Sequence, residues 1–477
     1  MFQNNLLMAA ASISGDAAYT VDNSCRFNDN DSATMTFTPT AGNRDTWTLS
    51  LWFKICASGG GTILNAGTGT NDTDFLDLKF SSSKLRVGGW STVFLETTAV
   101  FRDPGGWYHL VVALDTTQDA SINRLKMYMN GIEIIDFGTD NRSSLTQNAD
   151  RAVNGAFGHW LGSEAGSSSF FDGYIAQAVL IEGSQLMPTS FGEFNNNVWR
   201  PIDVTGLTFG DEGWLLDFAD SSDLGNDISG NNNDFTSSGL AANDQMTDTP
   251  TDNFAAWSAL DNRDFESGPN ITLSDGNLKA TATTSSPLSW VSVFSSHSFP
   301  QTLEKAYWEV TLGAFAVGQE VFGLQAINVK HTSTLDDVDK SIGWANTVST
   351  TISYRQDAAS AVNFTDTYAY TSGDILRFAY DNGKIWFGYN RSSTDYWFDA
   401  TEAEVAAGTD NVGSAWAHGD FQFGWSSIYN KDMTVNFGQS AFTGTPPSGF
   451  KALSTAIRPE PTVKDGRKYF DTILYEG

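Results

Sequence analysis

Residues 126–134 read KMYMNGIEI and residues 380–389 read YDNGKIWFGY. In each, an Asn-Gly pair separates two runs of alternating apolar and polar residues. Asn-Gly suits a two-residue type I′ loop, in which both central residues take positive φ. A loop at Asn130-Gly131 sets Met129 opposite Ile132, Met127 opposite Ile134 and Tyr128 opposite Glu133. A loop at Asn382-Gly383 sets Tyr380 opposite Ile385, Phe378 opposite Phe387 and Leu376 opposite Tyr389. Each hairpin then has one apolar face, and the other face of the second carries Arg377, Ala379, Trp386 and Gly388. Hairpins of this kind belong to antiparallel sheets stacked in a sandwich.

The rest of the chain agrees with that reading. Aromatic residues make up 13% and charged residues 17% of 477 positions, with 44 glycines. No amphipathic run exceeds about three helical turns, so the expectation is an all-β protein of more than one domain. In TWTLSLWFK, Trp47, Leu49, Leu51 and Phe53 alternate with Thr48, Ser50, Trp52 and Lys54. Short strands separated by Gly, Asn, Asp and Ser continue to about residue 195. Residues 196–265 are dense in Asn, Asp, Ser and Thr and read as a connector with one or two strands at GWLLDFAD (213–220), and 266–458 return to strand-like alternation. Residues 1–19 and 459–477 remain as terminal segments. The two sandwiches, 20–195 and 266–458, are each large enough to fold alone.

Composition excludes some functions. The net charge of −29 leaves no basic patch for nucleic acid and repels an anionic membrane surface. No segment reaches the ~18 apolar residues of a membrane span. Cys25 and Cys56 are too few for a disulfide framework and read as buried thiols. The opening MFQNNLLMAAASISG has an apolar stretch with no preceding Lys or Arg, which argues against a secretory signal. Its apolar character suits burial against a partner chain.

WTLSLWFK (47–54), GWYHLVVALDTT (106–117), LKMYMNGIEI (125–134) and FDGYIAQAVLIEG (171–183), in that order, resemble a laminin-G-like, concanavalin-A-type jelly roll over about residues 20–195. KAYWEVTLG (305–313), GDILRFAYDNGKIWFGYN (373–390) and VNFGQ (435–439) resemble a SPRY domain. The order of parts, with DTPTDNFA (248–255) between the domains and PEPTVKDGRKYFDTILYEG (459–477) at the end, is similar to bacteriophage virion-associated proteins described as fibre or adhesin components. That resemblance implies a virion surface location, virion proteins and host polysaccharide as partners, and a homo-oligomer, with a trimer favoured.

The residues themselves offer little catalytic chemistry. No strand carries the paired carboxylates of a glycoside hydrolase. There is no Gly-x-Ser-x-Gly elbow, zincin helix or Walker loop. His109, on a strand beside Trp107, reads as a packed sheet residue. The expectation is a protein without enzymatic activity; a depolymerase built from separate loops is the alternative, as is a purely structural tail, nozzle or capsid-decoration role. Asp227, Ser229, Asn231 and Asn233 alternate like the first ligands of a calcium loop, but the sixth-position glycine and the closing Glu are missing. Calcium is thus the one cofactor suggested, and the rim aspartate of calcium-binding laminin-G domains is replaced by GGWST (88–92). Sugar rings stack on aromatic faces beside Asn and Asp. Trp90 and Trp160, both flanked by glycines, are the candidate contacts in the first domain, and Tyr354 and Trp416 in the second.

Overall fold

The computed structural model describes residues 19–459, apart from 58–59, 265–270, 284–289, 316–319, 328, 330–334, 336, 347–350, 369 and 428–430. The opening apolar segment and the last eighteen residues lie outside the described residues. The expectation that a partner covers the former therefore has no structural counterpart here.

Two antiparallel sandwiches follow one another. In the first, one sheet runs in the order Ile132–Glu133, Leu125–Met129, Tyr108–Asp115, Thr46–Ile55, Gly173–Glu182, Ser24–Phe27, Gln245–Met246, and Trp214–Leu216 pairs onto Gly173–Glu182. The facing sheet runs Phe137–Asp140, Val93–Val100, Lys84–Gly88, Leu76–Ser81, Gly60–Ala66, His159–Leu161, Thr34–Phe37, Thr236–Ser238. Period-2 alternation puts Trp47, Leu49, Leu51 and Phe53 between the sheets with Leu78, Val87 and Leu161. In the second sandwich, Trp308, Phe378, Phe387, Phe423 and Trp425 fill the core between two further antiparallel sheets. Cys25 and Cys56 are buried and free.

Both Asn-Gly loops adopt the expected backbone. φ is 49° and 79° at Asn130 and Gly131, and 47° and 90° at Asn382 and Gly383. Met129 pairs with Ile132 and Tyr128 with Glu133. Tyr380, Phe378 and Leu376 pair with Ile385, Phe387 and Tyr389. One detail differs: Ile132 shares the face of Met129 but is 53% exposed, because this short strand ends the sheet beyond the edge of the core.

Residues 196–265 are more than a connector. Thr236–Ser238 and Gln245–Met246 each add a strand to a sheet of the first sandwich, while Trp214, Leu216, Leu224 and Phe235 enter its core. The hairpin Gly192–Asn195/Val198–Pro201 and the chain after it cover the outer face of the first sheet. Trp199, Phe191, Val204 and Phe209 lie over Trp52, His109, Val111 and Val179. Thr48, Ser50, Trp52 and Lys54, the outward set of the strand, are consequently all buried.

The sandwiches are also bonded to each other. Lys54, fully buried, donates from Nζ to Asp248 Oδ2 (2.8 Å), Asn253 Oδ1 (2.9 Å) and the Phe254 carbonyl (2.8 Å). Trp107 Nε1 donates to Asp248 Oδ1 at 2.9 Å. Asn253 Nδ2 donates to the Gly105 carbonyl at 2.7 Å and reaches His297 Nε2 at 3.1 Å. A buried ammonium with three oxygen partners is satisfied in the geometry such a charge requires.

Candidate functional site

The outer face of the first sandwich's second sheet differs from that of the first sheet: polar and charged side chains line it. Leu64, Leu78, Val87, Leu161 and Met35 point to the core. Their strand neighbours therefore point outward and form one cross-strand row. Register places Thr236 beside Thr36, Thr36 beside Trp160, Trp160 beside Asn65, Asn65 beside Asp77 and Asp77 beside Gly88. The next row sets Thr62, Lys79, Arg86 and Glu96 side by side.

Trp160 is half-buried. A Cβ on Gly158 or Gly166 would come within 2.5 or 3.0 Å of its ring, so both glycines are needed for its seat. Asn65 is fixed by its own bonds, Nδ2 to the Leu76 carbonyl at 2.9 Å and Oδ1 from the Ala165 amide at 3.0 Å. Asp77, 1% exposed, sits between Lys79 Nζ at 2.6 Å and Arg86 Nη2 at 3.0 Å, and Lys79 also meets Glu164 at 2.9 Å. Burial opposes the Lys79 charge, yet the two carboxylates outweigh it and raise its pKa. The charged groups on this face are thus paired and held in place.

Trp90 stands at the rim, two residues past Gly88. It is 54% exposed and meets the buried Phe75 edge-on at 5.6 Å. Its turn is closed by Gly89 N–H to the Thr92 carbonyl at 2.8 Å, and Asp72 accepts from the Ser91 amide at 2.8 Å. Burial works against the Asp72 charge, but bonds from Ser91 and Thr92 prevail and lower its pKa. The strands of Trp160 and Gly88 are three sheet spacings apart, ~14 Å at 4.7–4.9 Å each. Trp160 and Trp90 therefore stand at the two ends of this row, with Asn65 and Asp77 buried between them.

The other sequence candidates lie elsewhere. Trp416 is 2% exposed, bonds Gly419 O through its indole N–H at 2.8 Å and packs against Phe421. It is a core residue, not a ligand contact, because it packs into the core of the second sandwich. Tyr354 is half-buried on the strand Thr351–Gln356, beside Phe364 at 5.4 Å. The loop of Asp227, Ser229, Asn231 and Asn233 does form, but both oxygens of its one carboxylate are taken and its two Asn side chains are engaged through their Nδ2 groups. Asp227 accepts from the Leu215 and Ser229 amides on Oδ1 and from Ser229 Oγ and the Asn233 amide on Oδ2. Asn231 and Asn233 donate to carbonyls of residues 210, 211 and 213. A hard cation needs convergent free oxygens, so this donor set does not fit calcium. Among the described residues no three His, Cys, Asp or Glu side chains are placed to hold a metal ion.

His109 is buried between Trp52 and Trp199, with ring centroids at 4.7 and 5.8 Å. Trp199 N–H donates to Nδ1 at 2.9 Å, and Nε2 lies 2.8 Å from Ser50 Oγ. Burial lowers its pKa to about 3, so the neutral ring donates from Nε2 to Ser50.

The concanavalin A-like lectin/glucanases superfamily model (Laminin_G_3) matches residues 28–183, which form a laminin-G-like, concanavalin-A-like domain. Among solved structures, the SPRY domain of human HERC1 is 12% identical, with TM-score 0.27, covering 39% of this chain and 100% of that one. The heptameric SAP-like pentraxin of Limulus polyphemus is 15% identical, with TM-score 0.28, covering 36% and 80%. Domains LG4-5 of the mouse laminin alpha1 chain are 9% identical, with TM-score 0.28, covering 94% and 97%. A comparison with curated proteins finds no match.

The polar sheet face is what reading the sequence missed. Its signal was present in LDLKF (76–80) and KLRVG (84–88), adjacent strands whose outward positions all carry charge or glycine. One strand of that kind is an ordinary solvated edge. Only the pairing register shows that the rows line up with Trp160.

Proposed function

We propose that this protein is a non-catalytic, carbohydrate-binding component of a bacteriophage virion surface, and that it holds host polysaccharide across the sheet face between Trp160 and Trp90. The observation that carries the reading is the pair of tryptophans at the two ends of the row Trp160–Asn65–Asp77–Gly88, Trp160 half-buried and Trp90 exposed: two aromatic platforms held apart by a sheet whose buried polar groups fix it. Aromatic faces take the apolar side of a pyranose. The lectin-like character of the domain supports carbohydrate as ligand. The arrangement of sequence parts supports the virion role. A net charge of −29 disfavours polyanionic chains, so the ligand is a neutral polysaccharide.

Affinity per site is weak and repeated copies supply avidity. Trp90→Ala should lower binding on an array of neutral bacterial glycans at least about tenfold, the loss of a contact worth roughly 1.4 kcal/mol. Its melting temperature should not change, since the ring is mostly solvated. Trp160→Ala should lower binding comparably, with a modest loss of stability. Wild-type binding that survives both substitutions would remove the site.

Assembly is part of the same reading. Ile132, Ile135, Met187 and Phe194 are each more than half exposed, and Phe194 and Gly131 both touch Trp199. Covering these side chains in a homo-oligomer would hide apolar surface. Light scattering of the full chain should give a multiple of the 51.8 kDa protomer, with a trimer expected; a monomer at micromolar concentration contradicts this part.

A further inference from the structure

The joint between the sandwiches sets a lysine amine against a side-chain amide. Lys54 Nζ lies 2.9 Å from Asn253 Oδ1 and 2.8 Å from Asp248 Oδ2, and all three side chains are buried. The Asn253 amide is oriented by its own bonds. Its Nδ2 donates to the Gly105 carbonyl at 2.7 Å and to His297 Nε2 at 3.1 Å, which leaves Oδ1 facing the amine. Burial, then the charges of Lys54 and Arg458, lower the His297 pKa well below its usual value, so the ring is neutral and accepts at Nε2. Its Nδ1 then donates to Ser296 Oγ at 3.0 Å. Asp248 is held on its other oxygen by Trp107 Nε1 at 2.9 Å and the Phe254 amide at 3.3 Å, so Oδ2 is left to the amine.

The two partners are anchored in different sandwiches. Lys54 is paired with Tyr174 in the first, and its Nζ lies 5.8 Å from the centre of the Tyr174 ring. Asn253 is pinned to the second: its amide donates to Thr455 Oγ1 at 3.0 Å, and Phe254 pairs with Ser454. Beside them the turn 275–277 of the second sandwich, at the tip of the hairpin Ile271–Ser274/Lys279–Ala282, is set into the first. Tyr174 Oη donates to the Gly276 carbonyl at 2.8 Å, and Asn277 Nδ2 to the Cys56 carbonyl at 2.9 Å. A Cβ at Gly276 would lie 2.2 Å from the Tyr174 oxygen. Neither partner can move away without opening the joint.

We infer that this is the site of a self-formed isopeptide bond: Lys54 Nζ condenses with Asn253 Cγ, Asp248 acts as the base, and the two sandwiches become covalently tied. Nζ passes one proton to Asp248 Oδ2 and forms a bond to Cγ. The Cγ–Nδ2 bond breaks, Nδ2 takes a second proton from Nζ, and ammonia leaves. The new amide keeps the third proton and Asp248 keeps the first. Nothing is oxidised or reduced, and no co-reactant is needed. A fixed contact supplies the high effective concentration that an amine and an amide lack in water. A placed carboxylate moves the protons, and the exclusion of water suppresses hydrolysis. The product replaces a buried charge pair with a neutral amide and a neutral carboxyl, which removes the cost of burying the charges. The bond spans 199 positions of sequence.

The test is mass spectrometry of the full-length protein, denatured after overnight incubation. The intact mass should fall short of the sequence mass by one ammonia, about 17 Da. A protease digest should contain a branched peptide joining Lys54 to Asn253. Asn253→Ala removes the acceptor carbon but keeps the Lys54–Asp248 pair, and it should give no branched peptide. Asp248→Asn should form the bond at least about a hundredfold more slowly. Succinimide formation at Asn130 or Asn382 would remove the same mass but yields no branched peptide. If a variant fails to fold, the wild-type digest decides alone. A wild-type digest without the branched peptide, or cross-linking as fast in Asp248→Asn as in the wild type, would overturn the inference.

Discussion

Lys54→Met is expected to destabilise the protein by about 3–5 kcal/mol, the usual cost of removing one partner from a buried ion pair. Methionine fills nearly the same volume, so the loss is electrostatic. Asp248 keeps the Trp107 indole N–H and the Phe254 amide but loses its countercharge at 2.8 Å, and Asn253 loses its cation. Because Lys54 belongs to the first sandwich and binds the segment that leads into the second, the two domains should also unfold less cooperatively. Chemical denaturation followed by tryptophan fluorescence measures both effects. Adding Asp248→Leu should recover part of the loss, since an apolar pair avoids the desolvation of a lone charge. A single-variant cost under about 1 kcal/mol would show that the network is incidental.

Gly131→Val is expected to cost about 4 kcal/mol, adding backbone strain of roughly 1–3 kcal/mol to the displacement of a buried aromatic ring. The residue sits at φ 79°, and a Cβ there would lie 2.4 Å from two carbons of the Trp199 ring. Trp199 must then leave, taking with it the bond to His109 and the cover over the first sheet. Gly383→Val meets only the Trp416 carbonyl at 2.9 Å, with φ 90°, and should cost roughly the strain alone, 1–3 kcal/mol. Thermal melts of the two variants should therefore differ, with Gly131→Val the lower. Equal melting temperatures would contradict the role assigned to Trp199.

What could be read from the chain was local. Asn-Gly loops specify their own register, so the pairing of Phe378 with Phe387 followed from counting outward. Alternation identified Trp47, Leu49, Leu51 and Phe53 as core. It could not show that Trp52 and Lys54 are buried too, because their cover comes from residues 199 and 248, far along the chain. In the Asn- and Asp-rich segment 196–265 only GWLLDFAD read as strand; Thr236–Ser238 and Gln245–Met246 are two or three residues long and carry no period. The insertion of residues 275–277 left no sequence trace beyond an Asp-Gly-Asn turn. Trp160 and Trp416 were both candidate contacts, yet one is half-buried on a sheet face and the other lies in a core. Only tertiary contacts separate them.

The claim that the face between Trp160 and Trp90 binds polysaccharide is tested most directly by oxidative footprinting of the tryptophans, with and without a saturating neutral glycan selected on the array. Trp90, 54% exposed when free, should become protected, and Trp160 with it. The buried Trp214 and Trp308 should be unchanged throughout. Binding of the glycan with Trp90 and Trp160 oxidised as fast as before would place the ligand elsewhere and contradict the account.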